Sequence, residues 1–78
     1  MELYSEIKGM IVKLLAIDDE DVTEDAHLQF DLGADSIALM NLAMAINKKY
    51  SLELVIDEIV ELENVGELFS LVESKIET

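Results

Sequence analysis

The chain predicts an all-α fold, a four-helix bundle of three longer helices and one short one with a long loop between helices 1 and 2. Apolar residues recur at three- and four-residue spacing over most of its 78 residues. There is no proline, and no strand pattern outcompetes the helical one. Those observations together leave helix-on-helix packing as the way to bury the apolar surface.

The first helix is predicted over residues 2–16, where Leu3, Ile7, Met10, Ile11, Leu14 and Leu15 form one stripe and Lys8 and Lys13 fall off it. From residue 17 to residue 35 the pattern dissolves into acidic and small residues. Val22, Ala26, Leu28, Phe30 and Leu32 are expected to pin this loop to the core. Loops this long inside a small domain tend to be functional or to contain short helical turns. The second helix, capped by Ser36 or Asp35, runs to about Tyr50. It is apolar nearly all round in its first turns, which predicts an element buried at the centre. Asn47, Lys48 and Lys49 form its polar exit, with the lysines suited to the negative end of the helix dipole. Residues 51–56 are ambiguous between loop and strand, but a single strand has no partner. Residues 56–62 make a short helix whose Ile59, Val60 and Leu62 are too few to stand without tertiary contacts. The last helix follows Asn64, an N-cap with Glu67 three residues on, and turns Leu68, Phe69, Leu71, Val72 and Ile76 inward.

A chain of this length has room for one domain, spanning residues 1–78. Without cysteine, stability has to come from apolar burial. The absence of cysteine and of a basic-then-apolar start leads us to expect a cytoplasmic location. No apolar run approaches the roughly 20 residues that span a bilayer. Eighteen acidic residues against five basic ones give a formal charge of -13. Such a field repels nucleic acid and anionic membranes and attracts proteins with basic patches.

Catalytic machinery is not expected. His27 is the only histidine and lies in the loop, where a packing role is the ordinary one, and nothing pairs it with a nucleophile. The acids at 18–21, 24 and 25 lack the spaced ladder and sixth-position glycine of a calcium loop, so no metal site is assigned. Met10, Met40 and Met44 read as core residues. Ser36 differs by its setting. A helix N-terminus offers unpaired N–H groups and a positive dipole end, which favour a phosphodiester there. On local chemistry alone, Asp35-Ser36 ahead of an apolar helix is simply a good N-cap.

The segment Asp31-Leu-Gly-Ala-Asp-Ser36-Ile resembles the acyl carrier protein signature D-L-G-A-D-S-L, with Ile37 for leucine. The likeness extends to Val22-Thr23 with Ala26, to Met44-Ala45 and to Val65-Gly66, over the whole chain. It implies that Ser36, flanked by Asp35 and Ile37, receives 4'-phosphopantetheine from coenzyme A through a Mg-dependent phosphopantetheinyl transferase. The protein would then be a substrate of that reaction, carrying acyl groups as thioesters for fatty acid, polyketide or related biosynthesis. Positions resembling the family's acyl pocket are Leu28, Ile46, Leu54, Ile59, Leu62 and Leu68. Other expected partners are acyl-transferring enzymes and synthases or ligases with basic patches, visited by a monomer.

One departure is clear. Fatty acid carriers usually display acids along the second helix, whereas here the corresponding positions read Ala38, Asn41, Asn47, Lys48 and Lys49. Acidity remains at residues 18–25, at Asp31 and Asp35, and at Asp57, Glu58, Glu61 and Glu63. A specialised carrier serving its own ligase or synthase is the reading we adopt. Two alternatives stay open: an aminoacyl or peptidyl carrier, and an unmodified acidic module that binds a partner helix.

Overall fold

The computed structural model describes residues 2–77, and the side chains of residues 3–77. Four α-helices are present, α1 (Glu2–Leu15), α2 (Ser36–Tyr50), α3 (Ile56–Val60) and α4 (Val65–Glu77), and no strand occurs among the described residues. A single 3-10 turn, Asp19–Asp21, interrupts the long loop.

α2 is the element on which the others assemble. α1 and α3 both pack against it, and its Leu39, Leu42, Ala43 and Ile46 lie in the core. Ile7 and Ile11 meet them from α1, Ile59 from α3, and Val65, Leu68 and Val72 from α4. Each large aliphatic side chain removed from water here contributes roughly 1.5–3 kcal/mol. Tyr4 and Phe69 close α1 on α4 edge to face, with ring centroids 5.3 Å apart.

The apolar pattern over-assigned the core in places. Leu14 is 40% exposed, and Val12 packs against the core in its stead. α2 is not buried all round: Ile37, Met40 and Met44 face solvent, so the last two are not core methionines. α3 stops at Val60, leaving Val60 exposed and Leu62 half-buried beyond its end. Ile76 is exposed in the last turn of α4, while Val65 is buried.

Chain reversals follow from local chemistry. Ala16 (φ 55°) ends α1 and Ser51 (φ 58°) ends α2 in the left-handed region. In each case the next N–H bonds back into the helix, Ile17 to the Val12 carbonyl and Leu52 to that of Asn47. Asn47 does more than leave α2. Its side-chain NH2 donates to the Leu54 carbonyl at 2.9 Å and its Oδ1 accepts the Leu54 N–H at 2.8 Å, so residues 51–55 are bracketed to α2 instead of forming a strand. α3 is held by Ile59 below and, above, by Glu58, whose carboxylate accepts the Val55 N–H and pairs with Lys75 of α4 at 3.2 Å. Those two contacts, the backbone bond first, hold the Glu58 carboxyl below its ordinary range. Asn64 caps α4 by accepting the Glu67 N–H, and Glu67 reaches back one residue further than a capping box requires, to the Glu63 N–H.

The long loop is organised rather than loose. Val22, Ala26, Leu28 and Leu32 are buried as expected, but Phe30 is 83% exposed and pins nothing. Residues 27–32 make a single helical turn capped by a histidine. His27 Nδ1 accepts the N–H groups of Gln29 (3.1 Å) and Phe30 (3.2 Å), and its ring stacks on Phe30. Asp31 closes the turn by accepting the His27 N–H at 2.7 Å. The loop is tied to α4 where Val65 N–H bonds Ala26 carbonyl and Gly66 N–H bonds Glu24 carbonyl. A Cβ on Gly66 would stand 3.3 Å from Asn64 Oδ1 and 3.4 Å from the Glu24 carbonyl, which is why glycine suits this crossing.

Replacing His27 with alanine removes the cap and is expected to lower unfolding free energy by about 1 kcal/mol in urea, whereas His27→Ser retains most of it. A His27→Ala protein as stable as the original would remove the capping role. Tyr50 gives a second test. Burial, then its hydrogen bond to Glu6 and the charge of that carboxylate, push the Tyr50 phenol up to about 12. The folded state thus favours the neutral phenol, and this contribution is complete below pH 10 and lost as pH rises through 12. In alkaline titrations followed by thermal unfolding, Tyr50→Phe is expected to flatten the fall in stability between pH 10 and 12.

Candidate functional site

The candidate site is the junction between the capped turn and α2. Leu32 and Ala34 are buried and anchor the strip of chain ahead of the helix. Gly33 between them takes φ 77°, the left-handed conformation that a side chain would strain. Its backbone N–H bonds the Gln29 carbonyl and that of Ala34 the Leu28 carbonyl, so the capped turn runs directly into the helix start. Asp35 then lies extended and its carboxylate accepts the Ala38 N–H at 2.8 Å. Of the two capping residues the sequence allowed, Asp35 is the cap, and Ser36 is the first residue of α2.

This division of labour frees the serine. Asp35 holds the end of the helix, while Ser36 is exposed and followed by exposed Ile37. The first intrahelical bond runs from Leu39 N–H to the Asp35 carbonyl, so the N–H groups of Ser36 and Ile37 lie ahead of the ladder. Their partial positive charge suits a phosphodiester on the adjacent hydroxyl. An exposed hydroxyl beside such donors fits the 4'-phosphopantetheine group, whose terminal thiol supplies the thioester chemistry when it is bound.

The six pocket positions separate into two groups. Leu28, Ile46, Leu54, Ile59 and Leu68 are buried together in the core, drawn from the loop, α2, the bracketed segment, α3 and α4. Leu62 is half-buried against the edge of that core and also lines an open groove of about 600 Å³ with Glu24, Asn64, Gly66, Glu67, Ser70 and Leu71. No side chain in the core is polar or charged among the described residues, so any guest that parts these walls meets only aliphatic carbon. His27 lies half-buried in the turn ahead of Asp31 and its Nδ1 is occupied by two backbone N–H groups. Its role as a cap was not legible, because histidine is not among the usual capping residues.

The chain is similar to known proteins over nearly its whole length. A family model described as a phosphopantetheine attachment site matches residues 5–72. The acyl carrier protein of Thermotoga maritima is 33% identical over 75 residues, covering 96% of this chain and 93% of its own. Those of a Sulfurovum species and of Wolinella succinogenes are each 31% identical over 74 residues, covering 95% of this chain and 99% and 97% of theirs. With the match running through the helix start and both of its flanking elements, the chain belongs to the acyl carrier protein family, carriers of a covalently attached 4'-phosphopantetheine group.

Proposed function

We propose that Ser36 is the attachment point and that the protein is a specialised acyl carrier, charged by a phosphopantetheinyl transferase and serving a dedicated synthase or ligase in the cytoplasm as a single-domain monomer. The observation that carries the assignment is the exposed serine at the first position of α2, with Asp35 relieving it of capping. Loading forms a bond between Ser36 Oγ and phosphorus and breaks the diphosphate of coenzyme A, whose nucleotide half leaves. The serine proton goes to a base on the transferase. The chain contributes position and exposure, and the rest of the chemistry lies with its partner.

The aliphatic core supports acyl cargo over aminoacyl cargo. Each methylene buried between α2, α3 and α4 gains about 0.8 kcal/mol, enough to shield a thioester in small increments that a partner enzyme can reverse. The segment best suited to part is α3, five residues held by Ile59 and by the Glu58–Lys75 pair. Partners with basic groups find carboxylates at Asp31 and Asp35 on one side of the serine, and at Asp57, Glu61 and Glu63 around α3. No helix among the described residues is long and apolar enough to cross a membrane.

Incubation with a phosphopantetheinyl transferase, coenzyme A and Mg2+ is expected to add one phosphopantetheine to the wild type and none to Ser36→Ala, read by intact mass. A wild type left unmodified by several transferases, or a modified Ser36→Ala, would sink the assignment.

A further inference from the structure

His27 holds its turn by bonds that only one charge state of the ring can make. Its Nδ1 accepts the N–H groups of Gln29 at 3.1 Å and Phe30 at 3.2 Å, and both partners are backbone donors that cannot accept in return. Nδ1 is therefore the unprotonated nitrogen, with the ring proton on Nε2. A second proton has nowhere to go but Nδ1, where it would point at two N–H groups. The stack on Phe30, with centroids 4.3 Å apart and planes inclined by 27°, does not rescue the cap, because a ring turned over on that face presents carbon to the two donors. Neutral imidazole and capped turn stand or fall together.

That turn is coupled to the serine through the backbone. The His27 carbonyl accepts the N–H groups of Asp31 (2.9 Å) and Leu32 (3.0 Å), the Gln29 carbonyl that of Gly33 (3.2 Å) and the Leu28 carbonyl that of Ala34 (2.9 Å). Asp35 and Ser36 follow directly, so the turn sets the path on which the serine is offered. The charges around the ring are carboxylates. Asp25 and Asp31 flank it on the loop, Asp35 stands ahead of α2, and α4, which meets the loop at Ala26, brings Glu63 and Glu67. α2 contains no acid, and its Lys48 and Lys49 lie in its last turn. Asp31 spends one carboxylate oxygen on the backbone N–H of His27 at 2.7 Å, and among the described residues no acid forms an ion pair with the ring. An imidazolium swung free of the turn gains from this acidic surface, while one left in place loses two bonds. Both effects favour release.

We infer that His27 is a positioning residue for the loading of Ser36, and that protonating its ring loosens the turn and slows that loading. The inference rests on the carrier reading and adds to it a pH dependence of definite sign. The turn is intact above the range in which imidazoles ordinarily titrate, centred at about pH 6.5, and is released as pH falls through it. Carboxylates ordinarily titrate roughly two pH units lower, so their neutralisation separates from this step.

Amide hydrogen exchange of the 15N-labelled protein, corrected for the intrinsic rate at each pH, reads the turn without any enzyme. Protection at Gln29, Phe30, Gly33 and Ala34 is expected to fall roughly fivefold from about pH 7.5 to about pH 5.5 in the wild type. It is expected to hold in His27→Ser, whose hydroxyl caps without titrating, and to be low at both pH values in His27→Ala. Loading by a phosphopantetheinyl transferase with coenzyme A and Mg2+, followed by intact mass, reads the consequence for Ser36. The ratio of wild-type to His27→Ser kcat/KM cancels the pH dependence of the transferase itself. It is expected to be near one at the higher pH and to drop about three- to fivefold at the lower. Wild-type protection that persists at the lower pH, an equal loss of protection in His27→Ser, or a loading ratio that does not move with pH would each overturn the inference. No loading of either protein at either pH would instead overturn the carrier reading, with the exchange data still deciding the turn.

Discussion

α2 has to satisfy two demands with one set of φ and ψ angles. Leu39, Leu42, Ala43 and Ile46 must enter the core on one side, and that fixes which residues point outward on the other. Ser36, Ile37, Met40 and Met44 are exposed because the core residues are not. The helix also has to begin at a set residue, and the Asp35 carboxylate on Ala38 N–H sets it. A cap shifted by one residue would enlist the serine and leave its hydroxyl bonded to backbone. The whole site therefore depends on the pairing of one short hydrogen bond with four buried side chains.

The elements around α2 serve that arrangement. The His27-capped turn delivers the chain to Gly33, whose left-handed backbone redirects it, and buried Leu32 and Ala34 keep the junction seated. Asn47 brackets Leu54 so that the segment leading to α3 returns across the core. α4 grips the loop through Val65 and Gly66. Acidic side chains stay on the outside, where mutual repulsion is weakened by water.

Much of this was legible in the sequence, for reasons that differ by element. Helical periodicity placed α1 and α4 within a residue or two, and Asn64 with Glu67 announced the start of α4. The signature around Ser36 pointed to the proposed site. Periodicity misjudged burial where apolar residues face solvent: a helix with Ile37, Met40 and Met44 outward reads as apolar all round, yet its core face is only half of it. Phe30 failed as a pin because the single turn that buries Leu28 points a residue two positions on into solvent, against the His27 ring. The Asn47 bracket spans seven residues and the His27 cap uses an uncommon acceptor, so neither carries a local signature. The short helix was drawn two residues too long because Leu62, which follows its end, is still packed against the core.

The central claim is that the arm stands at the first turn of α2 and leaves the rest of the bundle in place. Amide chemical shifts of the 15N-labelled protein before and after loading test this most directly. The account predicts the largest changes at residues 35–39, where the phosphodiester meets the N–H groups ahead of the helical ladder, with small changes in α1. Unperturbed amides at Ser36 and Ile37, with the changes centred instead on Ser51 or Ser70, would contradict it.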